Sequence, residues 1–196
     1  MVSLDIQGAF DNISHTFMLE ALRRSGLSED VIKLVHSMYS GARTRIRVNE
    51  RLTGDVLLRR GVRQGCPMSM VLFNICMSPL MHRLDSLITG IRLSRADGAG
   101  EAYRLSVLSY VDDAVVFLSQ PTQVAVLFQV LRTYGDVSGL HVNKQKTVAL
   151  PLGFWDQDMV ATPCRYFTEA KILGVTFCRS IKAMADTNWP GRVGVL

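Results

Sequence analysis

Long hydrophobic runs are missing from this chain of 196 residues. A membrane-spanning helix needs about 18 or more consecutive apolar residues, and the most apolar helix candidate, residues 68–80, is interrupted by Asn74, Ser78 and Pro79. The chain begins MVSLD, without the apolar segment of a secretory signal. We therefore expect no membrane partner, and we predict an intracellular protein.

Cysteine and histidine are also scarce, at four residues each. The cysteines form no C-x-x-C pair, and neither residue type shows the spacing of a zinc site. The sequence pattern thus argues against a disulfide framework and against a zinc domain. We expect Cys66, Cys76, Cys164 and Cys178 to be reduced thiols in the core.

Charged residues are few and unevenly distributed. They make up 20% of the chain against 48% hydrophobic residues, which argues against a disordered chain and favours one globular domain. Residues 43–63 contain seven arginines and two acids, and this excess of five equals the net charge of the whole chain. The seven are Arg43, Arg45, Arg47, Arg51, Arg59, Arg60 and Arg63. Because a guanidinium presents a planar fork of donors, the cluster favours a phosphate backbone as partner; a solvated basic strand is the alternative.

Helical periodicity predicts helices that end at Gly26 and Gly41, a long helix after residue 67 and another helix after Pro121. The buried stripe of the second helix is predicted to be Val31, Leu34, Val35 and Met38. The stripe of the long helix is predicted to be Met70, Phe73, Met77, Leu80, Met81, Leu84 and Ile88. Pro79 lies inside this helix, where it should cause a kink or leave a carbonyl unpaired.

Strand patterns lie between these helices. Strict alternation over residues 43–48 predicts a strand with three arginines on one face, paired with a strand around residues 56–58 through a turn at 50–54. A polar loop is predicted over residues 95–101, and another strand over residues 171–177.

Two adjacent carboxylates, Asp112 and Asp113, lie between the apolar runs 105–109 and 114–118, which predicts a hairpin with both acids at its tip. Aspartate is a common turn residue, so this hairpin by itself needs no function. A third carboxylate, Asp5, follows another short strand pattern. Three carboxylates at one sheet edge would bind Mg²⁺, and two such ions can promote phosphoryl transfer.

Five segments, in order along the chain, resemble motifs A to E of reverse transcriptases. They are DIQGAFD at 5–11, RQGCPMS at 63–69, YVDD at 110–113, SGLHVNKQKT at 138–147 and ILGV at 172–175. The residues of these motifs most resemble those of the enzymes of non-LTR (LINE-type) retrotransposons. The resemblance covers about residues 2–178, with Met70 standing where those enzymes usually have proline.

The resemblance implies an α+β fold, a polymerase palm with a mainly antiparallel sheet packed on helices. Residues 1–178 would form this palm with partial fingers and without a thumb, and residues 179–196 would form a tail of uncertain structure. The implied activity is RNA-directed DNA polymerisation in retrotransposition, with two Mg²⁺ ions, or Mn²⁺ as a substitute. RNA template, DNA primer and deoxynucleoside triphosphates would be its partners, a longer polyprotein its source, and the nucleus its place of action.

The resemblance also assigns residues to roles. Catalysis would fall to Asp5, Asp112, Asp113 and Lys146, and metal binding to Asp5, Ile6, Asp112 and Asp113. Nucleotide binding would fall to Gln7, Gly8, Ala9, Phe10, Arg63, Gln64 and Gly65, with Phe10 as the ring that excludes a ribose 2′-hydroxyl. Primer and template contacts would come from Tyr110, Leu173, Gly174, Arg43, Arg45 and Arg47. Asp11, one place after Phe10, is expected to cap a helix together with Asn12.

Two alternatives stay open. Viral RNA-dependent RNA polymerases resemble this palm, but they tend to carry a second motif A aspartate at the position of Phe10. The other alternative is a truncated, non-catalytic remnant of a retroelement that at most binds nucleic acid.

Overall fold

The computed structural model describes residues 1–93, 102–152, 162–172 and 174–190. The helices are α1 (Ala9–Asn12), α2 (His15–Arg24), α3 (Glu29–Tyr39), α4 (Pro67–Leu87), α5 (Gln123–Ser138) and α6 (Ile181–Asn188). The strands are β1 (Val2–Leu4), β2 (Arg43–Thr44), β3 (Arg47–Val48), β4 (Arg51–Leu52), β5 (Val56–Leu57), β6 (Ile91–Leu93), β7 (Tyr103–Leu105), β8 (Val107–Tyr110), β9 (Asp113–Val116), β10 (Val148–Ala149), β11 (Arg165–Tyr166), β12 (Glu169–Ile172) and β13 (Val175–Cys178). Among the described residues, no helix has the length and apolar character needed to cross a membrane. The predicted loop over 95–101 lies outside the described residues.

The chain forms two compact units. The first consists of residues 1–6, 81–132 and those from 141 onward, and the second of residues 7–80 and 133–140. A five-stranded sheet of order β11-β10-β1-β9-β8 forms the centre of the first unit. Its pairs are antiparallel except for β10 with β11. The expected α+β fold with a mainly antiparallel sheet is therefore confirmed.

The middle of the sheet is formed by the most apolar strands. Strand β9 lies between β1 and β8, and its residues Ala114, Val115 and Val116 are at most 4% exposed. Successive residues of a strand point to opposite faces, so both faces of β9 are buried and need apolar side chains, which explains the unbroken apolar run after the two acids. Burial of each such valine contributes about 1.5–3 kcal/mol.

Arg104 on β7 holds the end of α4. Its guanidinium donates to the carbonyls of Asp85, at 3.1 Å, and Ile88, at 3.0 Å, and to the Asp85 carboxylate at 2.6 Å. The last carbonyls of a helix lack hydrogen-bond partners, and the negative end of the helix dipole attracts cations. The Arg104 guanidinium supplies both the hydrogen bonds and the positive charge. Ser106 also donates to the Asp85 carboxylate; this hydrogen bond, followed by Arg104, lowers the pKa of Asp85.

The segment predicted as one strand over 171–177 is instead a hairpin. Strands β12 and β13 pair in antiparallel fashion, with Ile172 opposite Val175. Gly174 lies in the turn with φ 83°, a left-handed conformation that glycine adopts without cost, so the single strand was wrong. The predicted tail contains α6, where Asn188 accepts from the N–H of Thr176 at 2.7 Å and donates to its carbonyl at 2.6 Å.

The core of the second unit comes from α2, α3 and the first part of α4. Met18, Leu22, Val35 and Phe73 are at most 2% exposed. Truncation of a core residue such as Phe73 to alanine costs about 3–5 kcal/mol. The structure confirms the predicted helices before Gly26 and Gly41.

Three residues of the predicted stripes are exposed. They are Val31 (40%), Leu34 (56%) and Met70 (50%). Helix α3 buries the predicted Val35 together with Ile32 and Tyr39, which were not predicted. The predicted stripe was rotated because Val31 and Leu34 each precede another apolar residue, and periodicity alone does not choose between such neighbours.

The basic segment forms a long hairpin with a bulge. Arg43 lies opposite Leu57 in the β2–β5 ladder, and Arg47 lies opposite Leu52 in the β3–β4 ladder. The register shifts by one residue between the two ladders, which leaves Gly54 without an opposite partner, as in a β-bulge. The predicted pairing is confirmed, but the strand over 43–48 is not continuous.

The tip of this hairpin lies one residue before the predicted turn region. Asn49 and Glu50 both have positive φ, 46° and 64°, the pattern of a type I′ turn. Both faces of the hairpin are solvated: Ile46 and Val48, opposite in side to the arginines, are 54% and 55% exposed.

Candidate active site

The two adjacent acids lie where the sequence predicts, at the end of a hairpin. Tyr110 pairs with Asp113, so Val111 and Asp112 alone form the turn between β8 and β9. Val111 has φ 56°, while Asp112 has no positive φ, the pattern of a type II′ turn. A β-branched residue rarely adopts this conformation, which costs about 1–3 kcal/mol. The tip is therefore strained, and the flanking ladder holds it in place.

Asp5 lies beside this hairpin because β1 pairs with β9. The ladder sets Leu4 opposite Ala114, and the same register continued by one residue sets Asp5 opposite Asp113. Two carboxylates separated by more than a hundred residues in sequence thus meet at one end of the sheet.

Asp5, Asp113 and Lys146 line one cleft of the first unit, with a volume of about 350 Å³. Strand β12 also lines this cleft and contributes Glu169 and Lys171. Three carboxylates and two lysines therefore face this space. A cleft with this mixture can hold a cation and a phosphate group at the same time, because each charge has an opposite partner nearby.

The main chain of Asp5 is held on both sides by the segment 143–147. Its N–H donates to the hydroxyl of Thr147 at 3.2 Å, and its carbonyl accepts from the N–H of Asn143 at 2.8 Å. Thr147 is fully buried, and the Asn143 side-chain oxygen accepts from the N–H of Gln145 at 3.1 Å and of Lys146 at 3.3 Å. One turn thus fixes the backbone of Asp5 and carries Lys146 into the same cleft.

The donor atoms of the predicted metal site suit Mg²⁺ in kind, since carboxylate oxygens are the ligands this ion prefers. The arrangement of these carboxylates suits Mg²⁺ only in part. Asp112 is exposed at the turn and does not line the cleft that contains Asp5 and Asp113. Among the described residues, no three His, Cys, Asp or Glu side chains are grouped closely enough to hold a metal ion.

The residues predicted to bind the nucleotide lie in the second unit. Phe10 on α1 stacks on Phe73 with ring centroids 4.8 Å apart and planes at 11°, so a buried ring fixes its orientation. Gln64 donates to the carboxylate of Asp11 at 3.2 Å, which joins the loop before α4 to α1. Asp11 was expected to cap a helix, but it lies within the first turn of α1 and accepts from Gln64 instead.

The loop before α4 is held by hydrogen bonds of its own. Ser69 donates to the carbonyl of Arg63 at 2.6 Å, and Arg63 donates to the carbonyl of Met38 at 3.4 Å. At the start of α4, the backbone N–H of Met68 lowers the pKa of the Cys66 thiol. These contacts fix the positions of Arg63 and Cys66 just before α4.

Two of the three predicted template arginines are paired within the protein. Arg43 and Arg45 donate to the carboxylate of Asp55 at 3.5 and 2.5 Å, while Arg47 has no ion pair among the described residues. Tyr110 is 66% exposed on β8, and Gly174 lies in the β12–β13 turn. Leu173, the other predicted primer contact, lies outside the described residues.

Sequence reasoning missed two residues of the cleft and two that support it. Alternation over β12 places Glu169 and Lys171 on one face, but no local pattern indicates that they line the same cleft as Asp5. Asn143 and Thr147 belong to the fourth motif, yet their hydrogen bonds to the main chain of Asp5 follow only from the three-dimensional structure.

An acidic hairpin at the end of a mainly antiparallel sheet, accompanied by helices, defines a polymerase palm. Telomerase from Candida albicans in complex with the TWJ fragment of telomeric RNA shares this fold, with a TM-score of 0.60 and 13% identity. The similarity covers 90% of this chain and 29% of that chain.

The family described as "Reverse transcriptase (RNA-dependent DNA polymerase)" matches residues 1–177, and the chain belongs to it. The type-1 retrotransposable element R2 Pol polyprotein of Popillia japonica is 31% identical over 150 residues, which cover 76% of this chain and 24% of that protein. The Transposon TX1 uncharacterized 149 kDa protein of Xenopus laevis is 26% identical over 173 residues, covering 88% of this chain and 13% of that protein. The chain is thus a reverse transcriptase domain of the non-LTR retrotransposon kind, and it spans about a quarter or less of the length of these relatives.

Proposed function

We propose that this chain catalyses RNA-directed DNA synthesis, joining a deoxynucleotide to the 3′ end of a primer on an RNA template. Membership of the reverse transcriptase family supports the type of reaction. The observation that carries the proposed site is the position of Asp5 beside Asp113, in one cleft with Lys146.

In the proposed reaction, the primer 3′-hydroxyl loses its proton to solvent water, and its oxygen attacks the α-phosphorus of the triphosphate. The bond from that phosphorus to the bridging oxygen breaks, and pyrophosphate leaves with a proton donated by Lys146. Asp5, Asp112 and Asp113, with the carbonyl of Ile6, would hold two Mg²⁺ ions. Such ions lower the pKa of the attacking hydroxyl and neutralise charge on the leaving oxygen, and Mn²⁺ would substitute for them.

The residues predicted to bind the nucleotide would position the substrate. The backbone of Gln7, Gly8 and Ala9 would contact the triphosphate, with Arg63, Gln64 and Gly65 beside the new base pair. Phe10 would exclude a ribose 2′-hydroxyl, and its stacking on Phe73 supports this role because a fixed ring discriminates better than a mobile one. Primer and template would lie along Tyr110, Leu173, Gly174, Arg43, Arg45 and Arg47, and the remaining parts of the enzyme would come from a longer polyprotein.

Primer extension on an RNA template with Mg²⁺ tests the catalytic roles. We expect Asp112→Ala and Asp113→Asn each to lower the rate at least about a hundredfold, because charge stabilisation by such groups contributes at least this much. Asp136→Asn, which alters an exposed carboxylate on α5, is the matched control and should extend like the wild type. Equal incorporation by the wild type and Asp112→Ala would refute the proposal.

Competition between deoxynucleotides and ribonucleotides tests Phe10. Phe10→Ala should raise ribonucleotide incorporation by about tenfold or more, since a steric filter of this kind acts by excluding one hydroxyl. Phe10→Tyr keeps the ring and should retain the preference. A wild type that uses ribonucleotides as readily as deoxynucleotides would instead favour an RNA-dependent RNA polymerase.

One observation favours the second candidate, a non-catalytic protein that at most binds nucleic acid. The three aspartates are not grouped as a metal site within the described residues. Titration of Mn²⁺ with detection of bound ion separates the two candidates without an activity assay. Binding that is lost in Asp5→Asn supports the catalytic proposal, and absence of binding by the wild type supports the second candidate.

A further inference from the structure

A second groove of the first unit lies next to the candidate active site and has no assigned role. It has a volume of about 450 Å³, within the range of roughly 300–1,000 Å³ that ligand pockets occupy. One wall is helix α5 and the other is the segment that follows Leu140. The lining residues are Phe128, Gln129, Leu131, Arg132, His141, Val142 and Lys144.

The charged side chains that line this groove, within the part of the chain that the structure describes, are all basic. Arg132 and Lys144 line it together with His141, and no acid is among the described lining residues. Arg132 and Lys144 form no ion pair with any residue that the structure describes, in contrast to Arg43 and Arg45 of the basic hairpin, which share Asp55. A pair of unneutralised cations over a common space attracts an anion, and phosphate is the anion that an arginine fork fits best.

The lining of the groove also contains apolar residues and one aromatic ring, the half-buried Phe128. Phe128 lies one helical turn before Arg132 on α5, so ring and guanidinium point to the same side. Single-stranded nucleic acids are held by this combination, a cation for the phosphate and an exposed aromatic face for a base. A duplex would not use the ring, because its bases are already stacked.

The groove also has a fixed relation to the cleft that contains Asp5. Lys144 lines the groove and Lys146 lines the cleft, so one short turn contributes a lysine to each space. The same turn holds the main chain of Asp5 through Asn143 and Thr147. A strand bound in the groove would therefore lie one turn of chain away from the reacting groups.

We propose that the groove between α5 and residues 141–144 binds single-stranded nucleic acid, through phosphates at Arg132 and Lys144 and a base stacked on Phe128. This inference deepens the proposed function by adding a nucleic-acid contact outside the predicted primer and template residues. It concerns binding alone, so it can fail while polymerisation is confirmed, and the reverse.

Fluorescence anisotropy with a labelled oligouridylate of about a dozen nucleotides tests the binding. The full chain carrying Asp112→Ala is used throughout, which separates binding from catalysis. Replacement of both cations (Arg132→Gln with Lys144→Gln) should reduce the slope of log affinity against log salt by about 1.4, or about 0.7 for each lost phosphate contact. Phe128→Leu should weaken binding about tenfold and leave the salt slope unchanged.

The matched control removes two charges elsewhere, by Lys33→Gln with Arg92→Gln, and should preserve affinity and slope. Acetylation of the chain with and without RNA locates the bound RNA directly. RNA should protect Lys144 from acetylation and should not protect Lys33. Unchanged affinity and slope in the double variant, with Lys144 still reactive in the presence of RNA, would overturn the proposal. So would tighter binding of an acidic peptide than of the RNA at the same groove, since it would indicate a protein partner.

Discussion

The hydrogen bond between Asp5 and Thr147 offers the sharpest test of how the candidate active site is held. Thr147→Val replaces the hydroxyl by a methyl group of nearly the same size, so packing is preserved while the N–H of Asp5 loses its acceptor. Thr147 is fully buried, and no water can replace the hydroxyl without a local opening.

The loss of stability caused by Thr147→Val follows from the environment of the Asp5 N–H. A buried donor without a partner costs about 1–3 kcal/mol. Asp5 is only half-buried, and removal of the Thr147 hydroxyl also removes a polar group from the core, so we expect a loss of about 1 kcal/mol. For a chain of this size, this corresponds to a fall of about 2–4 °C in Tm.

The effect on catalysis should be larger than the effect on stability. The second hydrogen bond, from Asn143 to the carbonyl of Asp5, remains, so the carboxylate is misplaced rather than lost. A displacement of about 1 Å can cost up to about a hundredfold in rate, and we expect a fall in kcat of about tenfold or more with little change in KM. Thr147→Ser keeps the hydroxyl and should restore the rate.

Chemical denaturation and steady-state primer extension measure the two effects. A valine variant that matches the wild type in both would refute the reasoning. If the serine variant loses as much rate as the valine variant, the missing methyl group rather than the hydroxyl is responsible, and the hydrogen bond has no positioning role.

Three further predictions concern other parts of the chain. Gly139→Ala should lower the unfolding free energy by at least about 2 kcal/mol in thermal denaturation, because φ is +82° and a Cβ would overlap the carbonyl of Asn12. Ser106→Ala removes the main cause of the lowered pKa of Asp85; the stability difference from wild type should be full above pH 4, near the ordinary pKa of 3.8, and should vanish in acid denaturation as pH falls through the lowered value. Cys66 should react with iodoacetamide ahead of the buried thiols, as followed by mass spectrometry, because a backbone N–H lowers its pKa; equal rates would contradict this.

The acidic hairpin shows what the sequence can predict. Two apolar runs around a pair of acids indicate β8, β9 and the turn without further information, because the signals are local and mutually consistent. Local signals do not predict which strand pairs with this hairpin. No periodicity indicates that Asp5 lies beside the hairpin that contains Asp113, and only the family resemblance predicts that the two come together.

The wrong predictions from the sequence also concern features that depend on contacts between distant parts of the chain. Alternation over 43–48 predicts a strand but does not reveal the bulge at Gly54, which depends on the register of the partner strand. The apolar pairs in α3 permit two positions of the buried stripe, and tertiary packing selects the one with Ile32 and Val35. The predicted strand over 171–177 is interrupted because the chain turns back at Gly174 between β12 and β13, a change of direction that the apolar run concealed.

In the proposed function, the ion pairs of Asp55 would affect how a template moves along the basic hairpin. Since Arg43 and Arg45 already have a carboxylate partner, a phosphate that binds them replaces one anion by another instead of occupying a bare cation. Exposed pairs of this kind are worth about 0–1 kcal/mol, so the exchange is nearly neutral in free energy. Contacts that form and break at such a small free-energy cost would not hold any one nucleotide strongly at the hairpin. Weak contacts of this kind suit a template that moves by one nucleotide after each addition.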